Sequence, residues 1–234
     1  MNASMNPNAG ASASNAAEKL TLLERPADPA TREPWLLVLM HGVGSNEQDL
    51  FGLAGYVPPQ FHVVSLRAPF VLGAGSYAWF QFSVAPEGSR RIDTAQEATS
   101  REAIAQTVQA IAQRLGVPPA RVVLGGFSQG GIMALSLLRT RPALLQAALV
   151  MHSRLLPEVD ALAAPAESLQ GKQLWVSHGL QDVVIPLASA RAIRDHAATL
   201  PLTLRYAEFP GGHEIRPAEL EQAMAWLDGL AAGV

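Results

Sequence analysis

The residues Gly126-Phe127-Ser128-Gln129-Gly130 spell G-x-S-x-G, the spacing of a serine held on a tight strand-to-helix turn. Glycines two positions to either side leave room where side chains would collide with neighbouring backbone. A serine hydroxyl is a weak nucleophile until a base takes its proton, so the motif requires a histidine and a carboxylate elsewhere. With this turn the chain order is serine, acid, histidine. Of six histidines, His152, His178, His196 and His213 follow Ser128. His196 falls inside a helical pattern, whereas His152 and His178 stand at the ends of apolar runs and compete for the role of base. His213 lies in Pro210-Gly211-Gly212-His213-Glu214, a glycine loop able to reach across to the serine. Asp182, in His178-Gly179-Leu180-Gln181-Asp182, follows another apolar run and is the expected acid. It stands too close to His178 for that residue to be its natural base, which leaves His178 to bond the acid loop. Acyl transfer also needs N–H donors for the oxyanion. Gln129, directly after the serine, supplies one, and the loop His41-Gly42-Val43-Gly44 is placed to supply the second.

The elements that must position these residues are legible as alternating patterns. Apolar runs of strand length fall at Trp35–Met40, His62–Leu66, Arg121–Gly125, Ala147–Met151, Gln173–Ser177 and Leu202–Phe209. Helical patterns fall at Asn46–Gly55, Asp93–Leu115, Gln129–Arg139, Pro186–Leu200 and Pro217–Leu230. In the longest, Ile104, Val108, Ile111 and Leu115 recur with the period of one helix face, and Asp93 with Gln96, or Thr99 with Glu102, can cap its start. Pro69–Gly88 reads as irregular. Strand–helix alternation with continuous apolar strands predicts a mostly parallel central sheet with helices on both faces. In such sheets chemistry gathers at the carboxyl ends of the strands, where the candidate residues stand.

Composition excludes several classes. Of 234 residues, 49% are hydrophobic and 16% charged, so a sizeable core forms. A net charge of −3 argues against a nucleic-acid partner. The absence of cysteine removes disulfides, thiolate metal sites and a cysteine nucleophile, and fits a reducing, cytoplasmic setting. No run approaches the 18 or so apolar residues of a membrane span, so no stable membrane insertion is expected. Residues 1–18 are small, polar and without an apolar core, and read as a disordered tail before a single domain over 19–234. Gly73-Ala74-Gly75-Ser76-Tyr77-Ala78 matches a dinucleotide fingerprint, but the following SYAWFQFSV is strand-like and no helix opens there. No P-loop and no H-E-x-x-H pair occur, so neither metal nor cofactor is expected.

Taken together, MHGVGSN, RAP, GFSQGG, HGLQDVVIP and PGGHEI, in this order and spacing, resemble the phospholipase/carboxylesterase group of α/β-hydrolases, which includes bacterial carboxylesterases and acyl-protein thioesterases. The resemblance covers about Leu36 to Leu227. It implies an α/β-hydrolase fold without a large cap domain, Ser128 as nucleophile, Asp182 as acid and His213 as base. It further implies an oxyanion hole from the N–H groups of Val43 and Gln129, and a substrate pocket lined in part by Trp79 and Phe80. The thioesterases carry a Ser-Gly segment where this chain reads His152-Ser153-Arg154, and Tyr77-Ala78-Trp79-Phe80 is closer to the bacterial esterases. A small-molecule ester or thioester is therefore the expected partner rather than a protein. A thioesterase, a lysophospholipase, an acyltransferase and a non-catalytic binding homologue are the alternatives on this frame.

Overall fold

Every apolar run expected as a strand is one. The computed structural model describes residues 20–84 and 90–233, so the expected tail over 1–18 lies outside the described residues. Along the chain come β1 (Leu22–Arg25), β2 (Trp35–Met40), α1 (Glu47–Phe51), β3 (Phe61–Leu66), β4 (Phe70–Gly73), β5 (Ser76–Ala78), β6 (Phe82–Val84), β7 (Arg90–Ile92) and α2 (Thr94–Leu115). They are followed by β8 (Val122–Phe127), α3 (Gln129–Thr140), β9 (Ala147–Met151), β10 (Gln173–Gly179), α4 (Leu187–Ala197), β11 (Thr203–Phe209) and α5 (Pro217–Ala232).

One seven-stranded sheet has the order β1-β3-β2-β8-β9-β10-β11. All its pairings are parallel except β1 with β3. Along β2 successive side chains alternate between faces. Leu36, Val38 and Met40 join the core under α2, α3 and α4, with Ile104, Met133 and Ile193. Trp35, Leu37 and Leu39 join the core under α1 and α5, with Leu50, Ala223 and Leu227. The two-sided burial explains why the run is continuously apolar rather than alternating. Each such Leu contributes about 1.5–3 kcal/mol by leaving water.

Two details go beyond the sequence expectation. The stretch expected to be irregular contains the antiparallel pair β4 with β5 and the strand β6, which pairs antiparallel with β7 just beyond it. The dinucleotide look-alike is thus a hairpin, with Gly75 at φ 68° in its turn. The start of α2 is settled in favour of Asp93, whose side chain accepts from the Gln96 N–H.

The order reverses direction at β2, with β3 on one side and β8 on the other, and this switch point is where parallel sheets leave a crevice. Met40 is in register with Gly126, and Phe127 with Met151. The loops after β2, β8, β9, β10 and β11 therefore open on the same edge.

Candidate active site

The edge collects the expected residues. Ser128 stands between β8 and α3 with φ 53° and ψ −118°, a conformation that costs a non-glycine residue on the order of 1–3 kcal/mol. The turn is held by backbone packing on both sides. A Cβ on Gly126 would come within 2.2 Å of the Gly130 carbonyl carbon, and one on Gly130 within 1.9 Å of the Met40 carbonyl oxygen. The Ser128 N–H donates to the Met151 carbonyl at 2.9 Å, which ties the turn to the end of β9.

Ser128, His213 and Asp182 are brought together. His213 Nε2 lies 2.9 Å from Ser128 Oγ, and His213 Nδ1 lies 2.7 Å from Asp182 Oδ2. Asp182 Oδ1 accepts the N–H groups of Val184 and Ile185, each at 2.9 Å, so the acid loop orients its own carboxylate. Burial opposes the ionisation of Asp182, but hydrogen bonds from His213, the Ile185 N–H and His152 outweigh it and hold the carboxyl below its usual range. Phe127 packs beside the His213 ring at a centroid distance of 4.8 Å.

The competing histidines have other places. His178 Nε2 donates to the Ile185 carbonyl at 2.7 Å, closing the acid loop across its base. Burial keeps its pKa below that of a free histidine. His152 is buried with φ 51°, and its Nδ1 lies 3.2 Å from Asp182 Oδ2. It touches the acid rather than the serine. His41 Nδ1–H donates to the Gly42 carbonyl at 2.7 Å while Nε2 accepts the Ala68 N–H at 3.1 Å, which defines a neutral ring with a structural task. Burial lowers its pKa accordingly.

The loop after β2 lies against the serine: a Cβ on Gly42 would stand 3.4 Å from Ser128 Cβ. Among the described residues, neither the Val43 N–H nor the Gln129 N–H has a protein acceptor. Free N–H donors on the residue after the serine and on the loop packed against it are the kind of group an oxyanion requires. Trp79 and Phe80, expected on the substrate pocket, are 0% and 1% exposed and belong to the core. Trp79 Nε1 donates to the His41 carbonyl at 2.9 Å, and the Gln129 side chain bonds the Trp79 N–H and the Phe80 carbonyl. Trp79 is thus tied to the loop after β2, and both residues are tied to the Gln129 side chain.

One residue of the cluster was not anticipated. Glu219, at the start of α5, is fully buried. Its Oε2 lies 3.1 Å from His152 Nε2, and its Oε1 accepts the Ser177 hydroxyl at 2.6 Å. In the sequence it looks like an ordinary capping glutamate, and it does accept the Arg216 N–H at 3.3 Å. Its only distinguishing signal is its distance from solvent. His152, His178 and Asp182 also present donor atoms within 4.8 Å of one another. Both Asp182 oxygens are already engaged by protein N–H groups, so the set fits a hydrogen-bond cluster better than a cation cradle.

Among the described residues no helix is long and apolar enough to cross a membrane. The sequence model of the Phospholipase/Carboxylesterase family matches residues 23–230. MhqD of Bacillus subtilis is 26% identical over 198 residues, covering 82% of this chain and 91% of that protein. The esterase YpfH of Escherichia coli is 29% identical over 182 residues, covering 74% of this chain and 72% of that protein. A Bacillus cereus carboxylesterase structure superposes with a TM-score of 0.76 at 24% identity, covering 93% of this chain and 96% of that one. With the family match spanning nearly the whole described chain, the protein belongs to the Phospholipase/Carboxylesterase family of α/β-hydrolases.

Proposed function

We propose that the protein is a cytoplasmic serine carboxylesterase that hydrolyses small to medium acyl esters through an acyl-enzyme. The observation that carries this reading is the continuous chain from Asp182 to His213 to Ser128, with hydrogen bonds of 2.7 and 2.9 Å. Ser128 Oγ attacks the ester carbonyl as His213 Nε2 takes its proton. Asp182 holds the ring with Nδ1 protonated and stabilises the imidazolium. The N–H groups of Val43 and Gln129 receive the oxyanion. His213 then gives the proton to the leaving oxygen, and the alcohol departs. Water repeats the cycle on the acyl-serine. Trp79 and Phe80 serve the substrate pocket as its rigid backing. No step needs a metal or cofactor, because the charge that develops is met by fixed N–H donors and by Asp182.

The test is intact-protein mass spectrometry after treatment with a fluorophosphonate, wild type beside Ser128→Ala. A single adduct on the wild type that is absent from the variant is expected. Absence of any adduct on folded wild-type protein would replace this reading by the non-catalytic homologue. Turnover of matched p-nitrophenyl esters and thioesters then separates esterase from thioesterase.

A further inference from the structure

We propose that the groove beside His213, walled by Leu50, Leu53, Phe127 and Ile215, is the leaving-group site, and that it selects neutral, apolar alcohols. The inference rests on the esterase reading above and names its substrate class.

The stereochemistry of the reaction fixes which groove matters. When the C–O bond to the alcohol breaks, the leaving oxygen takes the proton from His213 Nε2. That oxygen must stand within hydrogen-bond reach of Nε2, about 2.6–3.2 Å. The rest of the alcohol then extends over whatever surface His213 itself lines. That surface is a groove of about 290 Å³, bounded among the described residues by Asp49, Leu50, Leu53, Phe127, His213, Glu214 and Ile215. Leu50 is held by α1, Phe127 immediately precedes the serine, and Ile215 follows the histidine by two residues. The groove is therefore built into the same segments that hold the reacting atoms.

Its charge is also informative. No lysine or arginine lines it among the described residues. The two charged residues on its rim are carboxylates. Asp49 accepts the Ser45 hydroxyl at 2.8 Å, and Glu214 is paired with Arg216 at 2.9 Å. A phosphate or carboxylate on the alcohol would meet two carboxylates in the lining, and the nearby Arg216 is already paired with Glu214. A neutral hydrocarbon would meet four apolar walls. By contrast, the cavity lined by Arg90 and Arg154 includes neither Ser128 nor His213. The geometry thus favours simple apolar esters over coenzyme-type thioesters and lysophospholipids, whose leaving groups carry phosphate.

The experiment compares kcat/KM for acetate esters that share one acyl-enzyme and differ only in alcohol: methyl, butyl and hexyl acetate, and the 6-acetoxyhexanoate anion. Burial of about 0.8 kcal/mol per methylene predicts a gain of roughly threefold to fourfold per added carbon until the groove is filled. The anionic ester should fall at least about tenfold below hexyl acetate. Leu53→Ala and, independently, Ile215→Ala should each reduce the hexyl-to-methyl ratio by about fivefold or more. A flat series, a preference for the anion, or a ratio unchanged in both variants would overturn the proposal. If Ser128 still takes the fluorophosphonate in those cases, the esterase reading stands and the leaving-group assignment alone fails. If Ser128 takes none, both fail together.

Discussion

Glu219 Oε2 and His152 Nε2 lie 3.1 Å apart with both side chains shut off from water. The other nitrogen of the same ring faces Asp182 Oδ2 at 3.2 Å. Among the described residues the other partners of the Glu219 carboxyl are donors, the Ser177 hydroxyl and the Arg216 N–H. A ring with a carboxylate oxygen at each nitrogen satisfies both only when both nitrogens carry protons. Two carboxylates at one buried ring therefore favour its protonated form. Removing one member strands the other. Glu219→Ala is expected to cost about 3–5 kcal/mol of stability, read as a lower urea midpoint, with a smaller loss for the isosteric Glu219→Gln. In the folded Glu219→Gln variant kcat should fall more than KM rises, because Asp182 is then less well held. A variant indistinguishable from wild type in both measurements would show the pair to be idle.

The histidines should titrate in opposite directions. Burial alone would lower the pKa of His152, but the hydrogen bond and charge of Glu219, and then those of Asp182, raise it above the ordinary value. Its contribution to stability is fully present below the unfolded value of about 6.5 and is lost as pH climbs through its raised folded value. His41 and His178 are pushed below the ordinary value by burial. The unfolded chain then binds protons near pH 6.5 that the folded chain refuses, so their contribution is present above that pH and is lost as pH falls through their lowered values. Imidazole nitrogen NMR between pH 5 and 8 checks this directly. The His152 ring should titrate above, and the His41 and His178 rings below, a histidine of the unfolded chain. A His152 that titrates below that value would contradict its place between two carboxylates.

How much of this was legible in the sequence follows from what each feature depends on. Local patterns decided six of the seven sheet strands and the long helix, because a run such as WLLVLM cannot be solvated and the spacing of Ile104, Val108 and Ile111 fits a single face, whereas the four-residue edge strand β1 gave no such pattern. The serine turn was legible because backbone sterics demand its glycines. The grouping of Asp182 and His213 with Ser128 was legible through chain order and strand ends. The short pairs β4–β5 and β6–β7 were not, since strands of three or four residues leave too few alternations to register. Glu219 was not, because its first-turn helical position is explained equally well by capping. The task of His152 was not, because contact with Asp182 and Glu219 depends on two loops and the start of α5 meeting in space.

Chelation should leave activity unchanged. The donor atoms of His152, His178 and Asp182 are close enough to suggest a cation. Yet Asp182 Oδ1 is held by two backbone N–H groups and Oδ2 by His213 and His152. A divalent ion would have to break the contact that orients the base. Dialysis against EDTA followed by an esterase assay is expected to give the untreated rate. Strong loss, restored by a particular metal, would reassign the cluster.

Asp182→Asn isolates what the acid contributes. The amide can keep its oxygen at the Oδ1 position, where the Val184 and Ile185 N–H groups need an acceptor. Its NH2 group then falls at the Oδ2 position, facing His213 Nδ1 and His152 Nδ1. Two donors cannot share that contact, so His213 would turn its Nδ1 lone pair to the amide and carry its proton on Nε2, where the base must be bare. The amide meets His152 in the same way and has no charge to favour its protonated form. A fall in kcat of about four orders of magnitude is therefore expected, the order found when an acid of this kind is replaced by its amide in a serine protease. The fluorophosphonate reaction should slow with it, since it depends on the same base, while far-ultraviolet circular dichroism stays close to wild type. A variant that keeps a tenth or more of wild-type kcat would remove Asp182 from the catalytic chain and leave it a loop anchor only.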